Sequence, residues 1–214
     1  ETDTEVMITA SHNPADYNGL KIVGKGAKPV SMDSGLGEIK KIADQSESNL
    51  LAEPNMEVVD IKAAYIEKLL EFIDPNTIKP MHIVTNAGNG CAGPILDLLE
   101  ERLPLKFTKI QNDPDGTFPN GIPNPLLPEN RDITSKAVIE HSADLGIAWD
   151  GDFDRCFFFD SNGDFIENYY LIGLLSEQLL KLSPGDSIVH DPRLVWNTIE
   201  EVNSFGGIPT ISKS

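Results

Sequence analysis

The stretch LGIAWDGDFDRCFFF, residues 145–159, joins two apolar runs through a short acidic segment. Leu145–Trp149 and Cys156–Phe159 each have the length and composition of a β-strand buried in a sheet. The segment between them carries aspartates at positions 150, 152 and 154. These carboxylates follow the end of a strand, and α/β proteins bind ligands at that edge of the sheet. The stretch therefore predicts both a sheet and a site at its edge.

Strands and helices are expected to alternate on both sides of this stretch. Before it the pattern predicts strand Met81–Thr85, helix Ala92–Leu103, strand Leu105–Ile110 and helix Asp132–His141. After it the pattern predicts helix Tyr169–Lys181, strand Ser187–His190, helix Trp196–Phe205 and strand Ile208–Ile211. This order is typical of an α/β fold in which mixed β-sheets are layered with helices.

Both ends of the sequence interrupt this pattern. The chain starts at Glu1 and soon reaches the apolar run Val6–Thr9, which predicts the end of a buried strand. It stops after strand Ile208–Ile211, where an α/β unit would continue with a helix. We therefore expect an interior piece of a longer polypeptide, with domains that are incomplete at both ends.

The charge of the chain is strongly negative. Its 214 residues include 34 acidic and 17 basic side chains, for a formal net charge of −17. Non-specific binding to nucleic acid or anionic lipid needs a positive potential, so neither partner is expected. No apolar run approaches the ~20 residues of a membrane span, and Cys91 and Cys156 fit neither a disulfide framework nor a zinc motif. We expect a cytoplasmic protein without membrane or nucleic-acid partners.

Asp150, Asp152 and Asp154 form the first candidate site. Their carboxylates point the same way if the backbone is extended, and they repel one another unless a cation lies between them. Their hard oxygens favour Mg²⁺, or less often Mn²⁺ or Ca²⁺. An EF-hand is excluded because Arg155 and Ser161 occupy the places of its glycine and its last glutamate. A solvated acidic turn remains the alternative, and Arg155 offers a fork of donors to a phosphate on the same ion.

The second candidate site is the loop within ITASHNPADYNGLK, residues 8–21. Ser11 is a nucleophile, a phosphate carrier or a turn hydroxyl, and His12 is an acid/base group or a hydrogen-bonded loop residue. Lys21 occupies the outward-facing position of an alternating stretch, so a functional role requires the aspartates to lie nearby. Phosphoryl transfer depends on positioning and on neutralisation of charge. We therefore interpret the loop as one that carries a phosphate on Ser11, whose charge the cation balances.

A third motif, Gly88–Gly93, has the pattern GxGxxG between a predicted strand and a predicted helix. A dinucleotide-binding site has this pattern between a strand and a helix. A nicotinamide-binding oxidoreductase is therefore one alternative function. The acidic residue that should bind the ribose is displaced, because Asp113 comes one place late after the next strand. Close packing of strand and helix explains the glycines equally well. A non-catalytic α/β binding module is a further alternative.

Paired motifs along the chain carry a family resemblance. They are TASHNP (9–14) with YNGLK (17–21), NAGNG (86–90) with PNPLLPE (123–129), and DGDFDRC (150–156) with GDFIENYY (163–170). Together they resemble the bacterial phosphomannomutases of the α-D-phosphohexomutase superfamily, over essentially the whole chain. The resemblance implies that Ser11 is a phosphoserine whose phosphate ligates Mg²⁺ together with Asp150, Asp152 and Asp154.

The resemblance also assigns roles to the other polar residues of these motifs. It implies that Arg155 contacts the reacting phosphoryl group and that His12 and Lys21 are acid/base candidates. Asn13 and Lys213 are implied to bind the phosphorylated hexose substrate. Lys213 matches a substrate-contacting lysine that the family usually follows with Thr-Gly-His, and Ser214 departs from that threonine.

The family is built of four domains, which implies boundaries for this chain. Residues 1–52 would be the C-terminal part of domain I with the phosphoserine loop, 53–164 domain II with the metal loop, and 165–214 the N-terminal part of domain III. The implied reaction interconverts mannose 1-phosphate and mannose 6-phosphate through a hexose 1,6-bisphosphate. A phosphoglucomutase or phosphoglucosamine mutase is the alternative within the family. Because the sugar-recognition loop and the fourth domain are missing, we expect negligible turnover from these residues alone.

Overall fold

The computed structural model describes residues 3–46, 56–193 and 195–212. Strands in this part are β1 Thr4–Ile8, β2 Leu20–Gly24, β3 Lys28–Pro29, β4 Met81–Asn86, β5 Leu105–Ile110, β6 Leu145–Trp149, β7 Cys156–Phe159, β8 Phe165–Ile166, β9 Ser187–His190 and β10 Ile208–Ile211. Helices are α1 Leu36–Gln45, α2 Lys62–Leu70, α3 Gly93–Glu100, α4 Asp132–Glu140, α5 Asn168–Leu182 and α6 Trp196–Ser204. No helix among the described residues is long and apolar enough to cross a membrane.

A five-stranded mixed sheet organises the middle of the chain, in the order β5-β4-β6-β7-β8. Strands β5, β4 and β6 run parallel, whereas β7 and β8 are antiparallel to their neighbours. The parallel strands β4 and β6 are adjacent, so the loops that leave their carboxyl ends lie side by side. This arrangement confirms the α/β fold with mixed sheets and places the loop after residue 149 next to the loop after residue 86.

Both faces of this sheet are covered by helices. On one face Val84 and Phe159 pack with Val138 of α4, and all three side chains are fully buried. On the other face Ala92 and Leu96 pack near Trp149. Burial on both faces agrees with the continuous apolar run of β6 in the sequence. The site at the edge of the sheet therefore rests on a rigid, well-packed layer.

The N-terminal strands form a separate three-stranded antiparallel sheet in the order β1-β2-β3. The strand predicted at Val6–Thr9 is present, but the prediction that it is buried is wrong. Val6, Met7 and Ile8 are 52%, 62% and 69% exposed, because β1 is an edge strand whose partner among the described strands is β2 alone. Ile8 pairs with Leu20, so the residues between them form a single loop at one end of this sheet.

The C-terminal elements form a third unit of structure. Strands β9 and β10 pair in parallel, and helices α5 and α6 pack beside them. The side-chain amide of Asn197 in α6 donates to the carbonyl oxygen of Tyr169 in α5 at 2.9 Å. This β-α-β order is the one that the sequence predicts for residues 187–211.

Candidate active site

The loop between β6 and β7 contains the three aspartates. Its backbone is a tight turn, because the Phe153 N–H donates to the Asp150 carbonyl at 3.1 Å and Phe153 adopts a φ of +47°. The assumption of an extended backbone between Asp150 and Asp154, made from the sequence, is therefore wrong. The three carboxylates nevertheless converge. Ligand oxygens of Asp150, Asp152 and Asp154 all lie within 4.8 Å of one another. We call residues 150–155 the metal loop.

Two oxygens of this cluster are buried without a hydrogen-bond partner. They are Oδ2 of Asp150 and Oδ1 of Asp152. An unpartnered buried carboxylate oxygen is costly, and a hard divalent cation satisfies it directly. Acidic, histidine and cysteine side chains are the usual metal ligands, and in the described part of the chain these three aspartates are the group of such side chains that is close enough to hold an ion. The donor set is all oxygen, so the residues present fit Mg²⁺.

The charges of the cluster are unevenly balanced. Burial raises the pKa of Asp150, and the nearby carboxylates of Asp154 and Asp152 raise it further. Burial also raises the pKa of Asp152, but hydrogen bonds from Thr9 and Lys21 outweigh it and leave this pKa below its usual value. Of these two, Asp150 is therefore the carboxylate that depends more on a cation to remain ionised.

Lys21 reaches this cluster from β2. Its Nζ lies 2.9 Å from Oδ2 of Asp154 and 3.1 Å from Oδ2 of Asp152. These hydrogen bonds, first to Asp154 and then to Asp152, raise the pKa of Lys21, so it holds its proton at neutral pH. The structure thus places Lys21 beside the aspartates, which is the proximity that its functional interpretation requires.

The loop that contains Ser11 lies directly against the metal loop. A side chain on Gly151 would meet the Ser11 carbonyl oxygen at 2.7 Å, so glycine at 151 permits this close approach. Ser11 has a φ of +57°, a left-handed conformation that non-glycine residues adopt where the surrounding structure enforces it. The two loops, more than a hundred residues apart in sequence, therefore form one site.

Arg155 and His12 surround the Ser11 hydroxyl. Ser11 Oγ lies 3.1 Å from Nδ1 of His12, and an Arg155 Nη atom donates to the same Nδ1 at 3.1 Å. Because a guanidinium only donates, Nδ1 is an acceptor and a neutral His12 carries its proton on Nε2. The other Nη of Arg155 is 3.5 Å from Ser11 Oγ, while its Nε faces Asp154 and Asp150 at 3.5 and 3.7 Å. Arg155 thus spans the space between the hydroxyl and the carboxylates.

Of the two residues predicted to bind substrate, the structure describes Asn13. The Asn13 side chain donates to the Ala10 carbonyl at 2.7 Å, which closes its own turn on the exposed side of the loop. Lys213 lies outside the described residues. Substrate binding by Asn13 and Lys213 stays a prediction.

Sequence reasoning missed Thr9, whose hydroxyl connects the two loops. It accepts from the Ser11 N–H at 2.8 Å and donates to Oδ2 of Asp152 at 2.7 Å. A threonine at the end of an apolar strand is common, so its type and position gave no signal. The contact depends on the pairing of distant segments, which a local pattern does not contain.

The glycines of the motif Gly88–Gly93 face protein backbone. A side chain on Gly90 would meet the Gly151 carbonyl oxygen at 2.5 Å, and the neighbouring Cys91 N–H donates to that same oxygen at 2.9 Å. A side chain on Gly93 would collide with the Asn112 carbonyl. Gly88 is likewise packed against Pro123. Close packing of the three glycines on neighbouring segments, of which one is the metal loop, accounts for their spacing without a bound dinucleotide.

Gly90→Ala tests this explanation. The added methyl must push the Gly151 carbonyl away, so we expect the free energy of unfolding to fall by about 1–3 kcal/mol in urea denaturation. Gly116→Ala is the matched control, since a side chain there meets no atom within 4 Å. Equal stability of the two variants, together with NAD(H) binding that Gly90→Ala abolishes, would support the dinucleotide interpretation instead.

Comparison with known proteins agrees with this geometry. Family models described as phosphoglucomutase/phosphomannomutase alpha/beta/alpha domain I and domain II match residues 1–50 and 63–163. Proteins named phosphohexose mutases from Xanthomonas campestris and phosphomannomutase from Salmonella typhimurium are 57% and 53% identical, over 98% and 99% of this chain and 47% and 48% of their own length.

A solved structure shares the fold over the same extent. It is a phosphoglucomutase/phosphomannomutase family protein from Burkholderia thailandensis, 32% identical, with a TM-score of 0.86 over 99% of this chain and 45% of that one. The chain therefore spans about half the length of the relatives it matches. The family predicted from the motifs is confirmed: the chain belongs to the phosphoglucomutase/phosphomannomutase family.

Proposed function

We propose that the protein is a phosphohexomutase that interconverts mannose 1-phosphate and mannose 6-phosphate. The observation that carries the proposal is the meeting of the Ser11 loop with the metal loop, with Lys21 and Arg155 at their junction. Relatives named phosphomannomutase at 53% identity support mannose as the hexose. Because the family models also name phosphoglucomutase, a glucose phosphate is the second candidate substrate.

The proposed chemistry uses Ser11 as a carrier of one phosphoryl group. The free hydroxyl of the hexose phosphate attacks the phosphorus on phosphoserine 11, the bond from phosphorus to Ser11 Oγ breaks, and a hexose 1,6-bisphosphate forms. The other phosphoryl group of this bisphosphate then returns to Ser11, and the proton moves back to the sugar oxygen that is released. The product is the hexose phosphate with its phosphate at the other position, so no net phosphate is consumed.

Each residue of the cluster has a role in this proposal. Arg155 donates to the phosphoryl oxygens, since its guanidinium already faces Ser11 Oγ. Lys21 and His12 are the acid/base groups that exchange the proton with the sugar hydroxyl and with Ser11. Asp150, Asp152 and Asp154 would hold Mg²⁺ together with the phosphoserine oxygen, and the ion when bound neutralises the charge that phosphoryl transfer brings into the site.

The order of the domains is part of the same proposal. The matches at 1–50 and 63–163 fall within the first two of the expected divisions at 1–52, 53–164 and 165–214. On this division the metal loop and the phosphoserine loop belong to different domains. The active site is then formed where domain I meets domain II.

Phosphate mapping on the purified protein tests this function. After incubation with mannose 1,6-bisphosphate and Mg²⁺, we expect the mass to increase by one phosphoryl group that peptide mapping assigns to Ser11. The serines of exposed turns, such as Ser161, serve as internal controls and stay unmodified. A coupled assay of the complete enzyme then compares mannose 1-phosphate with glucose 1-phosphate as substrate, since negligible turnover is expected from these residues alone. Phosphate on another residue, or none, would reject the carrier role, and a preference for glucose would reject the mannose assignment.

A further inference from the structure

The Thr9 hydroxyl contacts both the backbone of the loop that contains Ser11 and a carboxylate of the metal loop, through two short hydrogen bonds at the same atom. Its Oγ1 accepts from the Ser11 N–H at 2.8 Å and donates to Asp152 Oδ2 at 2.7 Å, across 143 positions of sequence. The Thr9 N–H in turn donates to the Gly19 carbonyl at 3.0 Å. The backbone of Thr9 is therefore held by Gly19, while its side chain contacts both the loop that contains Ser11 and the metal loop.

The first contact acts on the conformation of Ser11. The left-handed φ of +57° at Ser11 is unfavourable for a residue with a side chain, so it needs a compensating interaction. The Ser11 N–H donates to Thr9 Oγ1, so loss of the Thr9 hydroxyl would remove its acceptor in this turn. Thr9 thereby supports the turn that directs Ser11 Oγ toward His12 and Arg155.

The second contact acts on the orientation of Asp152. Oδ2 of Asp152 is occupied by Thr9 and Lys21, whereas Oδ1 is buried without a hydrogen-bond partner. Holding one oxygen of a carboxylate determines the direction of the other, and partners behind a metal ligand fix its orientation in this way. Because Thr9 is branched at Cβ, its hydroxyl has few alternative positions.

We propose that Thr9 is a positioning residue that aligns Ser11 with the oxygen of Asp152 that ligates the cation. The expected effect of Thr9 on turnover rests on the proposed mutase function. Its expected effect on metal binding does not depend on that function. Lys21 remains as a partner of Asp152 when the hydroxyl is lost, so the charge balance of the carboxylate persists. Loss of the Thr9 hydroxyl then changes geometry rather than net charge.

Thr9→Val and Thr9→Ser separate this role from a general contribution to folding. Valine keeps the shape and the branch at Cβ without the hydroxyl, and serine keeps the hydroxyl. We expect Thr9→Val to weaken Mg²⁺ affinity about 10–100-fold in calorimetry of the purified protein. In the complete enzyme we also expect Thr9→Val to lower kcat with little change in KM for the hexose phosphate. Thr9→Ser should keep both the Mg²⁺ affinity and kcat within a few-fold of wild type.

Thr117→Val is the matched control. Its hydroxyl also donates to a carboxylate, Asp115 Oδ1 at 2.7 Å, but in an exposed turn outside the cluster. We expect wild-type Mg²⁺ affinity for this variant. Wild-type affinity in Thr9→Val, or a loss in Thr9→Ser equal to that in Thr9→Val, would overturn the proposal. If the complete wild-type enzyme binds Mg²⁺ but shows neither turnover nor phosphoserine, the proposed function fails, while the calorimetry still decides the role of Thr9.

Discussion

Replacing Ser11 with alanine in the complete enzyme is expected to reduce mutase turnover by about 10⁴-fold or more, because the covalent carrier is lost. The neighbouring Thr9 hydroxyl is engaged with Asp152 and does not take its place. The structure places Ser11 Oγ between His12 and Arg155, where a new phosphoryl group meets the guanidinium. Ser11→Gly removes the same hydroxyl but accepts the positive φ without strain. Both variants should therefore lose turnover, although only alanine retains the unfavourable backbone conformation.

The measurements for Ser11 are the coupled mutase assay and Mg²⁺ calorimetry. We expect both variants to keep measurable Mg²⁺ affinity, since the three aspartates remain. Ser161→Ala is the control, because Ser161 lies in the exposed hairpin turn after β7 and its loss should leave turnover unchanged. Turnover in Ser11→Gly close to that of Ser161→Ala would show that the hydroxyl carries no phosphoryl group.

Replacing Asp150 with asparagine is expected to have opposite effects on metal binding and on the metal-free protein. Asparagine retains the Oδ1 acceptor for the Arg155 N–H, which Asp150 bonds at 3.2 Å, but it loses the charge. Removing a direct ligand should cost more affinity than the ~10–100-fold typical of a supporting partner. Turnover should fall in parallel, because the charge of the phosphoryl group is no longer balanced.

Without metal, the same change should stabilise the fold. Burial and the neighbouring carboxylates raise the pKa of Asp150 above its value in the unfolded chain. Its ionised form therefore opposes folding, and stability is lost as the pH rises through the unfolded and then the folded pKa. Asparagine removes that cost, so the thermal midpoint of Asp150→Asn in a chelator should exceed that of wild type at neutral pH and match it in acid.

The matched control for Asp150 is Asp164→Asn, which removes one negative charge from the exposed hairpin turn outside the cluster. It should leave the increase of the thermal midpoint by Mg²⁺ intact, whereas Asp150→Asn should abolish that increase. A midpoint of Asp150→Asn that still rises with Mg²⁺ as in wild type would contradict the assignment of Asp150 as a ligand.

The elements that the sequence predicts best are short apolar strands that lie between polar turns. β6 and β7 were predicted with their observed bounds, because continuous apolar runs between polar turns leave little choice of register. The burial of β1 was predicted wrongly, since an apolar run reports a preference for burial but not whether another layer covers it. The order β5-β4-β6-β7-β8 was not predicted, because strand pairing depends on contacts between distant segments.

The candidate site shows the same limit. The aspartates and Ser11 were found from residue type and spacing, since repelling carboxylates require a cation. The convergence of Asp150, Asp152 and Asp154 arises from a turn at Phe153, which no local pattern indicated. Thr9 was missed because its importance lies in a hydrogen bond to a residue on another sheet.

The ion pairs of Lys21 with Asp152 and Asp154 place one positive charge among the carboxylates that would hold a metal ion. A divalent ion that binds there would meet carboxylates whose negative charge is already partly neutralised, and the ammonium group would repel it. Its apparent dissociation constant would therefore include the cost of weakening both ion pairs, so that a tighter hold on Lys21 means a lower affinity for the ion.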